Sequence, residues 1–347
     1  LTTDGKMRVT DPNQPAATAT SGGVFKIQGS LTVTSPNNGT EQWVSQSTYP
    51  ITWTKTGNIS TVKLLYSSNG GSTYTQIPGA TGIAASASSW NWTIASNTVL
   101  SQTARIRIVD EADATVLDGS DNNFTVKGAL TVNAPSATGI VLTYNSGYSI
   151  TWTRTGAIEN VELRYSTNNG SSYPSVIVGS YPASGGSYPW TVPDAIVGNK
   201  VKVKITDVAN AAVFDESNNP FEIVGGVQLD APNGGLTWAV GTTQQVKWTP
   251  SGTFPFVRVE YSTNGGSTFP GVIAGQVAAG TNGVQQSYNW TVQDVIGSNF
   301  VVRVSDYDHQ ATVKDVSAAT NTVVGGVTLV SPNGDEVMFV FDTSQVI

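Results

Sequence analysis

Ile150-Thr151-Trp152-Thr153-Arg154-Thr155-Gly156 decides the fold, because the chain carries this stretch three times. Ile51-Thr52-Trp53-Thr54-Lys55-Thr56-Gly57 precedes it and Val246-Lys247-Trp248-Thr249-Pro250-Ser251-Gly252 follows it. The tryptophans stand 99 and 96 residues apart. An apolar residue two before a Trp, with Thr or Lys between them, is the alternation of a half-buried strand. A period near one hundred residues is too long for a solenoid turn or a propeller blade, and it is the size of a whole β-sandwich domain.

Other strands follow the same period of two. Val161, Leu163 and Tyr165 alternate with Glu162, Arg164 and Ser166, and Val257, Val259 and Tyr261 alternate with Arg258, Glu260 and Ser262. Trp90 with Trp92, Tyr188 with Trp190, and Tyr288 with Trp290 each put two aromatics on one strand face. Tyr66-Ser67-Ser68-Asn69-Gly70-Gly71-Ser72-Thr73-Tyr74 returns at 165–173 and 261–269, where Asn and Gly supply the positive φ of a hairpin. The expectation is an all-β chain of tandem Ig-like or fibronectin-like antiparallel sandwiches in a rod-like array. Residues 1–29 read as the last strands of a preceding repeat, with three full repeats at 30–128, 129–226 and 227–326. Residues 327–347 read as the first strands of a following one.

Composition narrows the function. Charged residues make up 12%, the net charge is -7 and the pI is near 4.7, so no basic stripe exists to neutralise phosphates. Nucleic acid is excluded as a partner on that ground, and no apolar run is long enough to span a membrane. With 347 residues and no Cys, large cores must stand where disulfides would. One His and no Cys leave zinc and haem sites without ligands. His309 lacks the Ser and Asp partners of a triad and reads as a solvated loop residue.

Six aspartates are the metal candidates: Asp110 with Asp118, Asp207 with Asp215, and Asp306 with Asp315 flank strand ends near the repeat junctions. Calcium takes six to eight oxygens, and loops with several carboxylates supply them. The spacing is not that of an EF-hand, and turn capping of backbone amides is the reading we favour. Trp43 and Trp238, in opening loops, are candidate exposed rings able to stack on sugars, but covering the end of the sandwich against the preceding repeat is the reading we favour. Asn-x-Ser/Thr sequons occur at Asn38, Asn58, Asn91, Asn123, Asn169 and Asn289. The hairpin at 262–269 resembles the Asp-box of sialidase-type propellers with Asn in place of Asp, but recurs once per hundred residues rather than once per blade.

The order of motifs carries a resemblance. Pro-Asn-Gly near the first strand, then Ile-Thr-Trp, Tyr-Ser-x-Asn-Gly-Gly-Ser-Thr-Phe, Tyr-x-Trp-Thr-Val and a strand ending in Asp recur through the chain. This order resembles the tandem Ig-like repeats of large prokaryotic surface proteins. It is also similar to the Ig-like domain of the Ser/Thr-rich anchored cell-wall family, whose fungal members take part in wall glucan assembly. The second repeat departs at Pro135-Ser136-Ala137-Thr138, which replaces Pro-Asn-Gly. The resemblance implies no catalytic residues. The expected function is a structural segment of an extracellular surface layer, filament or stalk, with other copies or other surface proteins as partners. An adhesin binding glycan or a partner cell is the alternative, and the accessory region of a secreted polysaccharide-degrading enzyme a third.

Overall fold

The computed structural model describes residues 2–196, 198–327 and Gly334. In the first repeat Thr48–Thr56 pairs with Ser30–Ser35 on one side and Ser89–Thr93 on the other. Facing this three-stranded sheet, Thr61–Ser67 pairs with Ser101–Asp110, which continues to Phe124–Lys127 and the short strand Gln42–Val44. The second and third repeats use the same order around Gly147–Thr155 and Thr243–Ser251. Two 3-10 turns, at Ala85–Ala87 and Ala183–Gly185, are the helical elements among the described residues. The molecule is a series of β-sandwiches of Ig-like type.

One pairing per repeat is parallel: Gln42–Val44 with Phe124–Lys127, Val141–Thr143 with Glu222–Val224, and Thr237–Ala239 with Asn321–Val324. These short strands cross from one sheet to the other and close an otherwise open edge. Phase alone cannot foresee this, because alternation records which face is buried and not the direction of the neighbour.

Three separate hydrophobic cores lie between the sheets. Trp53, Trp152 and Trp248 sit at their centres, and each donates its indole N–H to a carbonyl of the facing turn, Ala85, Ala183 and Ala279, at 2.9–3.0 Å. A buried ring of this size contributes about 1.5–3 kcal/mol or more, provided its N–H has a partner. Trp43 and Trp238 are corrections to the sequence reading, since both are buried. Trp43 stacks on Tyr49 at 4.9 Å and touches Phe124, and Trp238 packs on Trp290 and Phe300. The crossing strand carries each ring into its own core, which a reading of these positions as loop could not see.

Residues 2–29 form two small ladders, Thr2–Gly5 with Phe25–Ile27 and Arg8–Thr10 with Thr18–Thr20. Phe25 and Ile27 are exposed, whereas Phe221 and Ile223 at the matching positions of the second repeat are fully buried. The stretch expected to open a following repeat lies, beyond Val327 and Gly334, outside the described residues.

Candidate functional site

The places where the repeats differ in chemistry are their joints, and each joint begins with glycine. At Gly128 a Cβ would come within 2.5 Å of Thr155 O and 2.6 Å of the Ile158 side chain; at Gly225 it would come within 2.6 Å of Phe254. Gly29 meets Thr56 O and Ile59 in the same way. A second glycine faces the first: a Cβ added at Gly156 or Gly252, with φ of +82° and +91°, would come within 3.4 Å of the linker glycine's Cα. Gly156 also abuts Ser45 of the preceding repeat, and Gly252 abuts Ile196 and Tyr144. Two backbones thus meet where no side chain fits. Leu100 packs against both the first and second cores, and Ile196 against both the second and third.

Beyond this shared joint the side chains diverge, and each joint uses the loop that follows an Asp-ended strand. Ahead of the first repeat, Lys26 pairs with Asp113 at 2.6 Å, and Gln28 donates to Asp113 and Thr115. Hydrogen bonds from Lys26, Thr115 and Gln28 hold the Asp113 carboxyl well below the usual carboxylate range. Between the first and second repeats Gln102 Nε2 donates to Ala209 O at 3.1 Å, beside a cleft of about 420 Å³. Between the second and third, His309 bridges the repeats: Nδ1 lies 2.7 Å from Asp306 and Nε2 lies 3.2 Å from Glu222 of the preceding repeat. Asp194 accepts from both the N–H and the hydroxyl of Thr253, and Asn282 donates to Tyr144 Oη and accepts from Gly252 N–H. His309 is therefore not the solvated loop residue of the sequence reading. Burial alone would push its pKa down, but the hydrogen bonds and charges of Asp306 and Glu222 outweigh burial and hold it above the ordinary value.

The six aspartates fall into two kinds. Asp110, Asp207 and Asp306 accept the amide two residues on, from Ala112, Ala209 and Asp308. Burial raises the Asp207 pKa above its ordinary value. Asp118, Asp215 and Asp315 do something else: each crosses the sandwich and accepts, at 2.7 Å, the N–H of Val33, Val132 or Leu229 in the first strand. Those residues sit at a register shift, where the ladder leaves an amide without a strand partner. The paired aspartates occupy opposite strands of a hairpin rather than one loop, and among the described residues no cluster of His, Asp and Glu suited to a metal ion forms.

Two smaller networks recur. Ser67, Ser166 and Ser262 hydroxyls donate to Asn69, Asn168 and Asn264, whose side chains close the hairpin onto Thr73, Ser172 and Thr268. At the repeat opening Asn37 Oδ1 accepts from Asp121 N–H and Asn233 Oδ1 from Ala318 N–H. Ser136 does the same for Asn218 in the second repeat, so the loss of Pro-Asn-Gly there leaves the contact in place.

No family model matches the chain, and no curated protein matches it. Among solved structures, the fibronectin(III)-like modules of Clostridium thermocellum CbhA align over 56% of this chain and 94% of theirs, at 18% identity and a TM-score of 0.21. The I9–I11 tandem from titin aligns over 87% of this chain and 99% of its own, at 10% identity and 0.29. The N-terminal four Ig domains of Dscam1 isoform 1.9 align over 89% and 77%, at 9% identity and 0.30. The strand pairing described above, not these scores, carries the fold assignment.

Proposed function

We propose that the chain is a non-enzymatic structural segment of a large extracellular surface protein, assembling side by side with other copies of itself or with other surface proteins. The observation that carries this reading is the glycine joint, built twice at Gly128–Gly156 and Gly225–Gly252 with an apolar plug across each. Such joints suit a segment that holds its neighbours in place rather than one that lets them move freely. Imaging the purified chain and the native surface by electron microscopy tests it. Ordered sheets or filaments with contacts above roughly 1,000 Å² between chains support assembly. Isolated rods without lateral contact overturn it.

A second reading, an adhesin that binds glycan, is favoured by the cleft between the first and second repeats. Asn97, Gln102, Asn160 and Asn210 offer amides there around apolar Leu100 and Val208. A glycan array run with the wild type and with Asn160→Ala separates the two readings: saturable binding lost in the variant supports the adhesin. Neither reading calls for a cofactor; calcium at the aspartates is the alternative to turn capping, and chelation tests it.

A further inference from the structure

The outward face of the larger sheet carries one homologous row in every repeat. In the second it runs Val176, Arg164, Lys204, Glu216; in the third, Val272, Glu260, Arg303, Val316; in the first, Gln76, Leu65, Arg107, Gly119. The third place is always a cation lying over an aromatic ring. Arg107 is 3.8 Å from the Tyr74 centroid, Arg303 is 4.2 Å from Phe269, and Lys204 lies over Tyr173 and Phe214. In the later repeats a neighbouring strand supplies a carboxylate: Glu216 stands 4.0 Å from Lys204, and Glu260 is bound by both Arg303 and Arg258.

The first repeat has the cation and the ring without the acid. Leu65 stands where the third repeat has Glu260, and Gly119 stands where the second has Glu216. The Arg107 side chain forms no ion pair or hydrogen bond among the described residues, and its Nε is buried without a partner. The other cations of this face are engaged, Arg105 by Asn123 and Ser120 O, and Lys63 by the charge of Glu111. A Cβ added at Gly119 would make ordinary contacts with Ile106 O at 3.4 Å and the Tyr74 hydroxyl at 3.6 Å, so this position beside Arg107 in the row accepts a side chain without a clash. Leu117, 45% exposed, stands two residues before Gly119 on the same strand.

We propose that Arg107 and Tyr74 form a docking site for a carboxylate of a second copy of this chain, which completes the row that Glu216 and Glu260 complete within the later repeats. Charge complementarity names the occupant. The chain is acidic overall at -7, and exposed Glu159, Asp294 and Asp308 on the second and third repeats have no side-chain hydrogen bond or ion pair among the described residues. The first repeat of one copy is thus matched to the later repeats of another, and copies pack with a stagger. A guanidinium held over a ring has less freedom left to lose on binding, and it meets a carboxylate in a half-desolvated setting. The proposal rests on the assembly reading and names the contact behind it.

Sedimentation velocity of the full chain over a concentration series tests it, with Arg107→Gln and with Gly119→Glu, which places an internal carboxylate beside Arg107. Circular dichroism checks that each variant folds. The expected result is a wild type whose self-association falls at high salt and weakens about tenfold in both variants. Association undiminished in Gly119→Glu overturns the docking site and leaves the assembly reading standing. A wild type that stays monomeric at every concentration overturns both.

Discussion

The joint between the first and second repeats and the joint between the second and third share a backbone and differ in side chains. Both bring a linker glycine against a turn glycine, and both have an apolar plug, Leu100 in one and Ile196 in the other. The later joint adds the His309 bridge and the contacts of Asp194 and Asn282; the earlier one has the single Gln102 bond and the cleft. Backbone contact therefore sets where the repeats meet, and side chains set how firmly each meeting is held.

The sharpest way to break the shared part is Gly225→Val. Its Cβ would overlap Phe254, and overpacking of this kind costs about 1–3 kcal/mol. Gly128→Val should cost a similar amount, because Ile158 and Thr155 O crowd it equally. Calorimetry of both variants reads this. A large loss at one joint with none at the other would show that the two backbones do not do the same work.

Next in size is Asp315→Ala, which leaves the Leu229 amide without its acceptor at a cost of about 1–3 kcal/mol. Asp118→Ala and Asp215→Ala should match it within experimental scatter, since all three bonds measure 2.7 Å. Urea melts check this, and a null effect in any one repeat removes that staple from the account.

Smaller and more diagnostic is the pH response. His309 has its pKa raised in the folded chain, so its contribution is fully present below the ordinary histidine value of about 6.5 and is lost as pH rises through the raised value. The Lys26–Asp113 joint has the opposite sign. Asp113 is lowered, so its contact persists above the ordinary carboxylate range and fails only when pH falls through the lowered value. The chain has one His, so a proton NMR titration reads His309 directly. Its midpoint should stand above about 6.5 and drop in Glu222→Gln. A midpoint indifferent to Glu222→Gln would break the bridge between repeats. Solvent reaches both groups, so the effect on overall stability should be small.

The smallest expected change is with chelation. If the aspartates cap amides, EDTA should leave the melting temperature where it was. A fall of tens of degrees that calcium restores would reassign Asp207 and Asp215 as ligands.

Period-two alternation and the recurring Trp stretch were enough, from residues alone, to read an all-β chain of sandwiches, buried Trp152 and its two equivalents, and hairpins at Asn-Gly-Gly. These are local matters, decided by side-chain phase along a strand and by the backbone freedom of glycine, and both are written in adjacent residues. The linker glycines were legible as boundaries, but their reason was not, since Thr155 and Phe254 crowd them from 27 and 29 residues away. The burial of Trp43, the cross-sandwich bonds of Asp118, Asp215 and Asp315, the His309 bridge and the lone Arg107 were decided by tertiary structure alone. Each depends on a partner that sequence separation hides: Val33 lies 85 residues before Asp118, and Glu222 lies 87 before His309. A polar side chain reads alike in a loop whether water or a distant amide satisfies it, and only the packing of one sheet on another, or of one repeat on the next, selects between them.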